Sequence, residues 1–195
     1  VVYNSPGIYD VTLKVQDDFG GSIQTIPNLI TYTDTVSIIT NSQNYSEGFE
    51  TSVFPPSSWE TPPATFSWQS IVVDTGINCQ PNTVAYVNHY WINQRGEEAY
   101  LISNKVRLGN GSSAINLLTY DYAYSGYANG YEDGLRIDIS TDCGFSWDSI
   151  YGASGTALQT TPHVGSPWYP TCGSWSSDTL DLSSFGYNAD TIMIR

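Results

Sequence analysis

The sequence predicts an all-β protein, and three observations carry that expectation. Apolar residues recur with period two in segment after segment, the spacing of a strand with one buried face. No stretch sustains a 3.6-residue period over ten residues. The composition favours pleated sheet: 43 residues are Ser or Thr, 27 are aromatic and 15 of those are Tyr. Loops rich in Gly, Asn, Asp and Pro separate the segments.

Taken in order, Ile8 to Gln16 alternates first, with Tyr9, Val11, Leu13 and Val15 on one face and Asp10, Thr12, Lys14 and Gln16 on the other. Asp17-Asp18-Phe19-Gly20-Gly21 supplies turn chemistry, and a second strand runs from Ser22 to Thr33, interrupted near Pro27-Asn28. Two strands cannot bury a core alone, so they are expected to end a sandwich whose beginning lies outside the chain. The segment from Thr33 to Tyr45 is polar and reads as a linker. Beyond it, Phe66–Gln69, Val84–Trp91, Ala114–Tyr124 and Leu135–Ser140 read as strands, and Leu180, Leu182, Ile192 and Ile194 close the series. In Ala114–Tyr124, Ile115, Leu117 and Thr119 fall on one face, with Leu118, Tyr120, Tyr122 and Tyr124 on the other. Such a series of short strands implies a sandwich or jelly roll.

Charge narrows the function. Six Lys and Arg face 19 Asp and Glu, a formal net charge of −13. Nucleic acid is excluded as a partner, because phosphate contacts need clustered basic side chains. No apolar run approaches the ~18 residues of a membrane span, so no membrane insertion is expected. The chain starts and stops inside strand-like patterns and is read as a fragment of a longer polypeptide.

Two resemblances follow from specific residues. Tyr3-x-x-Pro6-Gly7-x-Tyr9-x-Val11-x-Leu13-x-Val15, the Asp-Phe-Gly-Gly turn and Leu29-Ile30-Thr31 resemble the end of a PKD domain, an immunoglobulin-like sandwich used as a spacer in bacterial surface proteins. Gly48-Phe49-Glu50, Phe54-Pro55-Pro56-x-x-Trp59, Leu118 to Tyr124, Asp133 to Trp147 and Trp175 with Asp181-Leu182-Ser183 resemble MAM-like jelly rolls of the choice-of-anchor and cleaved-adhesin groups. The implied architecture is a partial PKD-like sandwich over residues 1–34, a linker over 35–45 and a C-terminally truncated jelly roll over 46–195.

Candidate sites follow. The MAM-like resemblance implies that Glu50 helps hold a structural cation; Asp121, opposite the tyrosines of its strand, is a second candidate, and calcium suits such oxygen ligands. Tyr127 and Tyr131 lie in a loop rich in Gly, Asn and Ser, where exposed rings beside Asp and Asn can bind a glycan or protein ligand. Three cysteines leave one over; Cys143 and Cys172 flank one C-terminal stretch and are the expected disulfide. Asp34-Thr35-Val36 resembles the tripeptide at which some bacteria with type IX secretion attach O-glycans, which makes Thr35 a glycosylation candidate. Ser140-Thr141-Asp142-Cys143-Gly144-Phe145-Ser146-Trp147 fits the Asp-box pattern, read as a hairpin staple in which Asp accepts turn amides, Gly takes positive φ and Trp packs back.

No HExxH, GxSxG or P-loop motif is present, and the Glu97-Glu98 and Glu132-Asp133 pairs read as solvated charge, so no catalytic residue is expected. The expected function is a non-catalytic, extracellular adhesion or ligand-binding and spacer module of a larger secreted or cell-surface bacterial protein. Two alternatives are an accessory region of a secreted zinc metallopeptidase and a structural subunit of a surface filament.

Overall fold

A computed structural model describes residues 45–195 except 65, 92–95, 110–114, 128–130 and 186–190, together with the backbone of 7–17, 20–32 and 91. Thr35 and the linker over 35–45, Tyr45 apart, lie outside the described residues. The chain divides into two compact units, Val1–Ile38 and Ile39–Arg195.

In the first unit, β1 (Gly7–Asp17) and β2 (Gly20–Tyr32) form an antiparallel pair running from Asp17↔Gly20 to Gly7↔Tyr32. The register jumps from Val11↔Ile26 to Tyr9↔Ile30, so Pro27, Asn28 and Leu29 stand opposite Asp10 alone. Proline has no N–H for the ladder, and the expected interruption at Pro27-Asn28 takes the form of this bulge.

The second unit is all-β, and among its described residues the helical turns His89–Trp91 and Gly155–Ala157 are three-residue 3₁₀ segments. Its largest sheet places β11 (Asp148–Ser154), β10 (Gly134–Ser140), β14 (Thr191–Ile194) and β7 (Val106–Arg107) side by side in that order, with antiparallel pairing throughout. A second pair joins β8 (Leu117–Tyr122) to β13 (Ser176–Asp181), from Ser176↔Tyr122 to Asp181↔Leu117. Burial alternates along β8, with Leu118, Tyr120 and Tyr122 turned inward and Leu117, Thr119 and Asp121 outward.

The two sheets share one core. Leu118 and Leu182 pack with Leu108, Ile139 and Ile192, so the β8–β13 pair faces the four-stranded sheet in a sandwich-like arrangement. Ile139 and Ile192 are each 1% exposed, and burying such side chains stabilises by about 1.5–3 kcal/mol apiece. Beside them Tyr120 packs against Tyr122 and Tyr151, and its hydroxyl donates to Asp178 Oδ2 at 3.3 Å. Burial, then hydrogen bonding with Tyr151, raises the Tyr120 pKa well above its ordinary value.

Strand β10 departs from simple alternation: Asp138 and Ser140 are buried along with Ile137 and Ile139. Asp138 is enclosed because it is matched. Its Oδ2 accepts from Arg195 Nη2 at 2.7 Å, Arg195 Nε at 3.1 Å and Arg136 Nε at 3.1 Å. Burial alone would raise this carboxyl, but the two arginines outweigh it and hold its pKa below the ordinary value. The Arg195 guanidinium lies 4.7 Å from the Tyr100 ring centre and 4.5 Å from that of Trp147.

Ser140 starts the hairpin between β10 and β11. Its hydroxyl accepts from Gly144 N at 2.7 Å and donates to Asp142 Oδ1 at 2.8 Å. Asp142 in turn accepts from Ser146 N at 2.8 Å and Ser146 Oγ at 2.6 Å, and Trp147 Nε1 donates to Gly144 O at 3.1 Å. The Ser146 hydroxyl above all, with its amide and the Ser140 hydroxyl, lowers the Asp142 pKa from 3.8 to about 2. Gly144 sits at φ 86°. The sequence pattern is therefore built as the staple its chemistry implies.

Three shorter pairings complete the unit. β3 (Trp59–Glu60) pairs with β6 (Ile102–Ser103), β4 (Gln69–Val73) with β5 (Asn82–Tyr86), and β9 (Ser125–Tyr127) runs parallel to β12 (Thr161–Val164). Of the strand expected over Val84–Trp91, only the first part is strand; His89–Trp91 turns instead.

Candidate functional site

The turn at His89–Trp91 brings Tyr90 against Tyr127, the last residue of β9, with ring centres 5.7 Å apart and edge to face. Tyr127 also packs on Tyr131 at 5.9 Å, and the two backbones form an isolated antiparallel bridge. The three rings make one cluster at the surface, with Tyr131 56% and Tyr90 39% exposed. Tyr127 and Tyr131, singled out in the sequence, are thus adjacent. Tyr90 was not singled out, because it joins them only through pairing across the fold.

Each arm of the cluster carries a polar neighbour. His89 Nδ1 lies 3.6 Å from Asp133 Oδ1, both side chains about one-third exposed, and Phe66 packs against the imidazole at 5.9 Å. Burial pushes the His89 pKa below its ordinary 6.5, against the upward pull of Asp133. The imidazole is therefore uncharged at neutral pH.

The segment bearing Tyr131 and Asp133 is pinned at several points. Asp133 N donates to the Tyr124 hydroxyl at 3.0 Å, and Gly155 N donates to Asp133 O at 3.0 Å. The Glu132 carboxylate lies over Gly155, where any β-carbon would meet it at 2.5–2.8 Å. Gly155 has φ 53°, so glycine is favoured there by backbone conformation, and a β-carbon would in addition push the Glu132 carboxylate aside. Behind Tyr127, Gly126 is buried and a β-carbon there would stand 2.8 Å from the His163 ring. The Tyr124 and Gly155 contacts hold the backbone at Asp133, two residues beyond Tyr131.

Compared with known proteins, the chain matches no family model, no curated protein and no solved structure. Function therefore rests on the residues themselves.

The expected Cys143–Cys172 bridge is not the one formed. Cys172 is bonded to Cys79, with Cα atoms 4.8 Å apart, and Cys143 is free and exposed. The reason is the tertiary placement of the turns, since Cys79 and Cys143 share a positive φ, 59° and 64°, and only Cys79 is bridged. Trp175 Nε1 donates to Thr75 O at 2.9 Å and Thr75 Oγ1 to Pro170 O at 3.1 Å, setting the Cys79 and Cys172 turns side by side. Those contacts span 100 and 95 residues, beyond the reach of local sequence spacing.

The calcium candidates are separate features. Glu50 is exposed, with its carboxylate against Gly48, and Asp121, also exposed, accepts a hydrogen bond from the Ser177 hydroxyl. Among the described residues, no three His, Cys, Asp or Glu side chains come together as a cation site.

Proposed function

We propose that the second unit is a non-catalytic, extracellular ligand-binding module that holds carbohydrate on the Tyr90–Tyr127–Tyr131 cluster. The single observation behind this reading is the cluster itself: three adjoining tyrosine rings, Tyr90 and Tyr131 exposed and Tyr127 half-buried between them, with the His89–Asp133 pair at its edge. Tyrosine rings offer an apolar face to the C–H side of a pyranose and a hydroxyl to its polar rim. Exposed apolar patches bordered by polar groups mark interaction sites. Asp133 and the Tyr hydroxyls supply the acceptors and donors that a sugar diol needs.

The Cys79–Cys172 bridge is compatible with an oxidising compartment and supports placing the module outside the cell. Among the described residues no helix is long and apolar enough to cross a membrane. In the first unit, the β1–β2 pair is compatible with a spacer of the PKD type, and the sandwich-like core of the second with a MAM-like jelly roll in a secreted or surface-bound bacterial protein.

A glycan array probed with the 195-residue chain tests the reading. Binding to at least one oligosaccharide is expected, with the bound sugar recovered intact. Tyr131→Ala and Tyr127→Ala should each weaken binding about tenfold or more, as loss of a buried aromatic anchor does. Phe145→Ala, at an aromatic residue 93% exposed in the β10–β11 hairpin, should leave it unchanged. No signal on the array, or equal loss from all three variants, would overturn the proposal.

A further inference from the structure

The charges around the cluster go further and indicate which sugars it takes. Resting on the carbohydrate reading above, we infer that the site selects uncharged pyranosides and discriminates against those bearing a carboxylate or sulfate. Tyr131 is followed directly by Glu132 and Asp133. Asp133 is held through Tyr124, Gly155 and His89, and Glu132 is exposed beside it with its carboxylate over Gly155.

The nearby base does not offset them. Burial keeps His89 neutral at physiological pH, so the pair with Asp133 is net negative. Two of the described arginines of the unit are committed elsewhere. Arg195 is held by Asp138 and stacked between Tyr100 and Trp147. Arg136 is shared between Asp138 and Glu98, at 3.1 and 3.5 Å. The chain as a whole carries −13, so its long-range field also opposes an approaching anion.

Ring packing disfavours a second class of ligand. Tyr127 meets Tyr90 edge to face at 5.7 Å and Tyr131 at 5.9 Å, so the rings fill the space between one another. A quaternary ammonium is held by several ring faces with the cation among them. The cluster instead offers an outer surface, suited to stacking from one side.

A carboxylate or sulfate on a sugar stacked on Tyr131 would meet the like charge of Glu132 and Asp133, the next two residues of the chain. At a surface site such repulsion weakens binding by up to about tenfold for the pair. The test is an array in which each neutral oligosaccharide is printed beside its carboxylated or sulfated derivative, probed with the full chain at pH 7.5 and low salt. The expected result is binding to neutral members and about tenfold weaker binding to their anionic partners. Glu132→Gln with Asp133→Asn should narrow that gap at least threefold, and so should raised salt, which screens exposed charge. Equal or stronger binding of the anionic members by the unmodified chain would overturn the selectivity and leave the carbohydrate reading standing. An unchanged gap in the double variant would likewise overturn it. Absence of binding to every printed sugar would overturn the carbohydrate reading and the selectivity with it.

Discussion

Removing the Cys79–Cys172 bridge perturbs the second unit at a defined place. The two cysteines are 93 residues apart in sequence. In the chain-entropy treatment, opening a loop of that length returns about 4–5 kcal/mol of freedom to the unfolded state. The folded side changes less, because Trp175 to Thr75 and Thr75 to Pro170 still tie the two turns together. A unit of this size shifts its melting temperature by roughly 2–4 °C per kcal/mol, so a drop of about 8–20 °C is expected. Differential scanning calorimetry on the oxidised chain, on Cys79→Ser with Cys172→Ser, and on Cys143→Ser provides the comparison. The double variant should melt lower by that amount, and Cys143→Ser should match the parent. If Cys143→Ser produced the large drop, or if peptide mapping found Cys143 joined to Cys172, the reasoning about turn placement would be refuted.

Other expectations follow from single contacts. Arg195→Met leaves the buried Asp138 with one arginine fewer and should cost about 3–5 kcal/mol, read by urea unfolding. Ile192→Ala opens a cavity in the shared core and should cost about 2–5 kcal/mol, with both sheets melting together. Gly155→Ala meets both a positive φ and the Glu132 carboxylate; it should destabilise the unit and lower ligand affinity, because Glu132 must move. Asp142 has its pKa depressed in the fold, so its contribution is present above the unfolded value near 4 and is lost as pH falls through about 2. Protection of the Ser146 amide, taken relative to its intrinsic exchange rate at each pH, should fall over that window, and Asp142→Asn should lower it already at pH 6.

What was legible in the sequence was local chemistry. The faces of Leu117–Tyr122 follow from period two and agree with the burial pattern, and Ser140–Trp147 names its own hydrogen bonds. Pro27 marks its bulge because a missing N–H acts wherever it sits. Partnerships across the chain were not legible. Asp138 reads as a solvent-facing residue until Arg195, 57 residues away, is brought onto it. The disulfide was mispaired for the same reason, since the contacts that align Cys79 with Cys172 come from Thr75, Pro170 and Trp175. Half of the candidate site was visible, as Tyr127 and Tyr131 in a stretch of small residues, although Tyr127, expected in a loop, instead ends strand β9 and is half-buried. Tyr90 and His89 were hidden in a stretch whose composition favours strand, and the chain turns there instead.

The most direct measurement of the central claim is side-chain and amide chemical-shift mapping of the chain during titration with the oligosaccharide that gives the strongest array signal. The largest shifts are expected at His89, Tyr90, Tyr127, Tyr131 and Asp133, with the Ser140–Trp147 hairpin silent. Shifts centred on that hairpin, or spread over the unit with none at the three tyrosines, would contradict the assignment of the binding surface.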